Sequence, residues 1–236
     1  MQYPFARNLC LVFSFISAVY ANTEKTIFIA PPAIAIPSFQ SSLENLRLVT
    51  LSPGRQASFR TELSVAFPSK QIPRGHEHWY MLDKLTEGQR HEVRICWAAT
   101  QPTEFWLDTY SVSELLETPS LISSLAEYSG TNKGTDRLER EYQSGEESVR
   151  ATSKLFLRVS AAADFYTTNA TLMHNPPDVV VDIILDPFAL NLIPESLLPV
   201  GLYIVVVFIA AWFVSGVIYQ WLYAIAKTEL EKPHKD

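Results

Sequence analysis

His91-Glu-Val-Arg-Ile-Cys-Trp97 alternates polar and apolar side chains almost strictly, the period of a strand with one buried face. A helix would scatter those apolar positions around its circumference. Working outward, the same reading repeats between breaks. Upstream, Glu87-Gly88 separates this strand from Trp79-Tyr-Met-Leu82, and downstream Gln101-Pro102 separates it from Thr103-Glu-Phe-Trp-Leu-Asp-Thr-Tyr110. Farther upstream, after a lead containing Pro31, Pro32 and Pro37, comes Leu46-Arg-Leu-Val-Thr-Leu51 and the turn Ser52-Pro-Gly-Arg55. Residues 57–67 alternate imperfectly and are expected to pair back across that turn. Later strands are Lys154-Leu-Phe-Leu-Arg-Val159 and residues 178–185. Strands this short, punctuated by turns, imply an all-β fold, an antiparallel β-sandwich over residues 22–193.

Two features interrupt the pattern. Leu115, Leu116, Leu121, Ile122 and Leu125 predict short amphipathic helices over residues 112–128, divided at Pro119. Residues 129–150 turn polar and charged and predict a mobile excursion between strands. The run Leu85-Thr-Glu-Gly-Gln-Arg-His-Glu-Val-Arg-Ile-Cys-Trp97, with Pro102-Thr-Glu-Phe-Trp-Leu107 after it, resembles a strand-turn-strand element of fibronectin-like, immunoglobulin-like or jelly-roll sandwiches. The resemblance covers only that stretch. It implies a fold class and no function.

The two ends concentrate the apolar residues. Hydrophobic residues make up 47% of the chain and charged residues 19%, below the roughly 25% charge of an average soluble domain. Arg7 precedes an apolar run at residues 9–19, and Val19-Tyr20-Ala21 suits a processing site. That run is shorter than the about 20 residues a membrane span needs. Residues 1–21 are therefore expected to be a signal peptide cleaved after Ala21. Residues 199–226 carry no charged side chain and predict a transmembrane helix. Tyr203 lies toward one end of it and Tyr219, Trp221 and Tyr223 toward the other, as interfacial aromatics do. Lys227, Lys232 and Lys235 follow the helix. Together with the signal peptide they predict a type I topology, with the N-terminal domain lumenal and residues 227–236 a cytosolic tail. Lys232 and His234 resemble a variant of the dilysine signals for retrieval to the endoplasmic reticulum.

Little in the chain points to chemistry. Net charge is −6 with no long basic run, which argues against nucleic-acid binding. Cys10 is expected to leave with the signal peptide, so Cys96 has no partner for an internal disulfide and reads as a buried apolar residue. Asn169-Ala-Thr171 is an N-glycosylation sequon on the side expected to be lumenal. His76-Glu-His78, with His91 beyond it, lacks a third ligand at metal-site spacing and reads as solvated loop histidines. Asp178, Asp182 and Asp186 would share one face of a strand, with Val179, Val181 and Ile183 on the other. No nucleophile elbow, phosphate-binding loop or dinucleotide fingerprint occurs. No catalytic residue, cofactor or metal site is expected. In the membrane helix, Ala211 and Ser215 form a small-residue face on which another helix could pack.

These readings converge on a non-catalytic membrane glycoprotein of the endoplasmic reticulum, an accessory subunit or chaperone-like factor for an integral membrane partner. Two further classes remain open. Trp79, Tyr80, Trp97 and Trp106 would serve a lumenal glycan- or lipid-binding module if exposed. A cell-surface adhesion or receptor protein at the plasma membrane would have the same topology.

Overall fold

The structure is a computed structural model that describes residues 21–33, 46, 48–131 and 152–230. The chain forms two compact units, residues 1–187 and 188–236. The first is built mostly of strands. β1 (Ala21–Ile29), β5 (Arg90–Ala98), β8 (Val179–Ala189) and β3 (Ser58–Leu63) pair in that spatial order, antiparallel throughout. A second sheet has the order β2 (Thr50–Leu51), β4 (His76–Leu85), β7 (Ser153–Ala163) and β6 (Thr103–Ser111). It is antiparallel except where β2 runs parallel to β4.

Period-two patterning sets the core. Val93, Ile95 and Trp97 of β5 are buried, as are Val179, Val181, Ile183 and Leu185 of β8. Tyr80 and Leu82 of β4 and Leu157 and Val159 of β7 belong to the same apolar cluster, so both sheets share one core. Each such aliphatic side chain, fully buried, contributes roughly 1.5–3 kcal/mol.

The second sheet is covered on its other face too. α1 (Val112–Glu117) and α2 (Pro119–Thr131) press Val112, Leu115, Leu121 and Leu125 onto Trp79 and Phe156. This explains why β7 is buried almost without interruption: Leu155, Leu157 and Val159 face the shared core while Phe156 lies under the helices. α1 starts in a capping box, with the Ser111 side chain accepting from Glu114 N and the Glu114 carboxylate accepting from Ser111 N. Pro119 opens α2, where a missing amide hydrogen costs nothing. The expected division at Pro119 is what the structure has.

Other expectations need correction. Residues 46–51 and 57–67 do not form a hairpin. Thr50 and Leu51 pair with β4, whereas residues 58–63 pair with β8 in the other sheet. The turn between them, closed by Ser52 N donating to Gln56 O at 3.1 Å, is a corner from one sheet to the other. The lead contains a strand, β1, which the period-two pattern does not reveal. Of the excursion expected at 129–150, residues 129–131 belong to α2 and the remainder lies outside the described residues.

A short helix, α3 (Ala170–His174), precedes β8. In the second unit the end of β8 pairs with β9 (Ile193–Pro194). A 3-10 turn (Glu195–Leu197) then leads into α4 (Leu198–Leu230). α4 has 33 residues, about 50 Å at 1.5 Å per residue, enough for a hydrocarbon core of about 30 Å. Its side chains are exposed through Lys227. Among the described residues it is the one helix long and apolar enough to cross a membrane.

Candidate functional site

The densest polar cluster lies on the helix-covered face of the second sheet. Strand register places Trp79, Arg158 and Asp108 side by side on β4, β7 and β6. Arg158 Nη2 donates to Asp108 Oδ2 at 2.8 Å and to the Tyr110 hydroxyl at 2.6 Å, and Nη1 donates to Glu77 Oε1 at 3.2 Å. Its guanidinium also sits 5.2 Å from the centre of the Tyr110 ring. Glu77 accepts from Ser124 of α2, whose oxygen in turn accepts from Trp79 Nε1 at 2.9 Å. Arg74 closes the outer side, donating to Asp108 at 3.1 Å and lying over Trp106.

Burial works against the Arg158 charge, yet Asp108, Tyr110 and Glu77 together hold its pKa above the ordinary value. Burial also raises the Tyr110 hydroxyl, outweighing the nearby guanidinium. A permanently protonated arginine between two carboxylates has no proton to exchange near neutrality. The cluster staples α2 to three strands. Sequence reasoning misses it; the available signal is Arg158 two positions from Phe156, on the same face of a largely buried strand.

The expected site residues fall into several places. His76 and His78 lie on β4 and not in a loop. Both reach Ser64, His76 Nδ1 at 3.2 Å from Oγ and His78 Nε2 at 2.9 Å from the carbonyl. His78 is buried, and burial lowers its pKa more than the Ser64 bond raises it. His91 is also buried and stacks on Phe28. Among the described residues no three His, Cys, Asp or Glu side chains are grouped so as to hold a metal ion.

Asp182 and Asp186 share a face of β8, which Asp178 only precedes, and that face is not uniformly solvated. Asp182 forms a two-pronged ion pair with Arg60 at 2.7 and 2.6 Å, and Arg60 lowers its pKa. Asp186 is buried near Arg94 and Glu92. Cys96 is half-exposed, not buried, and Thr23 Oγ1 donates to its sulfur at 3.5 Å.

Trp79, Tyr80 and Trp97 are buried, so three of the four rings considered for sugar stacking are closed to it. Asn169 is exposed and caps α3, its side-chain oxygen accepting from Thr171 N at 3.0 Å. A cavity of ≈ 320 Å³ lies beside α3, lined by Val65, Pro102, Phe165, Leu172, Pro177 and Val179 among others. None of the side chains lining it ionises. Ala211 and Ser215 are exposed one turn apart on α4. Ala21 is the first residue of β1; the remainder of the expected signal peptide lies outside the described residues, as do Lys232 and His234.

The described part of the chain thus combines a β-sheet domain whose ionised groups tie its own elements together with an exposed helix long and apolar enough to cross a membrane. A family model described as Pga1, GPI-Mannosyltransferase II co-activator, matches residues 12–221, and the chain belongs to that family. The description is of a protein that assists a transferase, not of the transferase. No curated protein and no solved structure matches the chain.

Proposed function

We propose that this chain is a non-catalytic subunit that activates a GPI-mannosyltransferase II in the endoplasmic-reticulum membrane. The family match carries the reading: residues 12–221 take in both the sheet domain and most of α4, so the shared feature is the whole plan and not a local motif. A protein that contributes no reacting group accelerates a transferase by binding its competent state more tightly than its incompetent one. It also stabilises that partner by mass action.

The rest of the arrangement belongs to the same proposal. Residues 1–21 act as the signal peptide, residues 22–193 form an immunoglobulin/fibronectin/jelly-roll-like sandwich in the lumen, and residues 199–226 span the bilayer. Asn169 carries a glycan, and Lys232 with His234 in the cytosolic segment returns the protein to the endoplasmic reticulum. The Ala211 and Ser215 face of α4 packs on a helix of the transferase, where small side chains permit close approach.

Membranes from cells lacking the chain are expected to lose mannosyl transfer to the GPI precursor and to regain it when the chain is re-expressed. Undiminished transfer in its absence would reject the reading. The glycan-binding alternative loses its motivation, since Trp79, Tyr80 and Trp97 are enclosed.

A further inference from the structure

The short hairpin that precedes α4 is built against its own backbone preferences. Leu190 and Asn191 both have positive φ, 53° and 59°, and Leu192 N donates to Ala189 O at 3.0 Å. Positive φ at both central residues is the pattern of a type I′ turn, where Asn and Gly are favoured because other side chains crowd the backbone. Leucine gains nothing there unless its side chain is used. Leu190 is 91% exposed and Leu192 73%. Ile193, Leu197 and Leu198 are exposed too, with Glu195 and Ser196 between them on the way into α4. Residues 187–194 contain no charged side chain.

We propose that this tip is a membrane-interface anchor: Leu190 and Leu192 dip into the boundary between headgroups and acyl chains of the leaflet where α4 begins. The inference rests on the reading of α4 as a membrane span. The six residue-to-residue steps from Leu192 to Leu198 reach at most about 20 Å, and less with a 3-10 turn among them. An interfacial zone of roughly 5–8 Å lies outside the hydrocarbon on each side. A tip tethered this closely to a span, apolar and uncharged, lies within reach of that interfacial zone. Two leucines anchored beside a span would restrict how the helix end tilts and turns, as interfacial side chains do.

The test uses the full-length protein in phosphatidylcholine vesicles, with Cys10 and Cys96 replaced by Ser and one fluorophore placed through Leu192→Cys or Val206→Cys. The lipids carry a doxyl quencher at acyl carbon 5 or 12. The label at 192 is expected to be quenched about twofold more by the shallow quencher than by the deep one, and the label at 206 the reverse. Leu190→Asn, which suits the positive φ and so keeps the turn, is expected to reduce quenching at 192. Quenching at 206 without quenching at 192 would overturn the anchor and leave the span standing. Quenching at neither position would overturn the span as well. Shielding of 192 only when the transferase is present would assign the tip to a protein partner and overturn the lipid assignment. Unchanged quenching in Leu190→Asn would remove Leu190 from the anchor.

Discussion

Gly75→Ala is expected to be among the most damaging single-methyl additions in the sheet domain. Gly75 enters β4 with φ +73°, and a Cβ there would lie 2.0 Å from Ala161 O, 2.6 Å from Ala161 C and 2.8 Å from Ala162 Cα. All three are backbone atoms of β7, so no side chain can swing away. Gly54 and Gly88 provide the control, with φ of +78° and +73° and nothing within 4 Å of where an added methyl would sit. Alanine at those two positions costs only the left-handed strain, roughly 1–2 kcal/mol. At Gly75 the overpacking adds a further 1–3 kcal/mol or more, roughly, because β4 and β7 must separate where His76 pairs with Ala161. At about 2–4 °C per kcal/mol for a domain of this size, Gly54→Ala should lower the apparent Tm by about 2–8 °C and Gly75→Ala by more, about 4–20 °C. Circular dichroism melts of the detergent-solubilised protein read the difference. A Gly75→Ala protein melting within about 2 °C of Gly54→Ala would show that β4 and β7 do not approach as described.

Arg158→Met is expected to cost about 2–3 kcal/mol, since it strips charged hydrogen bonds from Glu77 and Asp108, discounted because both carboxylates are about a third exposed. Arg158→Lys should cost less, and a double-mutant cycle with Asp108→Asn should give a positive coupling. Burial depresses the His78 pKa in the folded protein. Its contribution to stability is therefore complete above the unfolded value of about 6.5 and declines as pH falls from there toward the folded value. Melts at pH 7.5 and 5.5 should show this loss, and His78→Gln should show less of it. Asn169→Gln is expected to abolish the glycosidase-sensitive mobility shift, and Lys232→Ser with His234→Ser to convert that glycan to its processed form.

The strands are legible in the sequence because one face of most of them meets polar surroundings. β5 writes that alternation plainly, and β8 is legible instead as a run of Val and Ile. β1 is less so, because Glu24 and Lys25 interrupt its apolar content and Ile27 and Ile29 are half or more exposed at the sheet edge. The corner at residues 52–56 reads like a hairpin turn locally; only the distant partners, β4 and β8, separate its two arms. The polar cluster is hidden for the same reason. Arg158 is 81 positions from Glu77 and 50 from Asp108, and register across three strands, not spacing in sequence, brings them together. His78 reads as solvated because it follows His76 and Glu77, and Asp186 because it is an acid spaced four residues from Asp182; the burial of both comes from packing in space. The apolar helix needs no such information, being specified by length and the absence of charge alone.

Purification through an internal affinity tag after mild detergent extraction decides the accessory role. The chain is expected to elute in a stoichiometric complex with an integral-membrane mannosyltransferase, and Ala211→Leu with Ser215→Leu is expected to weaken that complex while the sheet domain melts unchanged. Recovery of the native chain solely as a free monomer, from membranes in which the transferase is present and active, would contradict it.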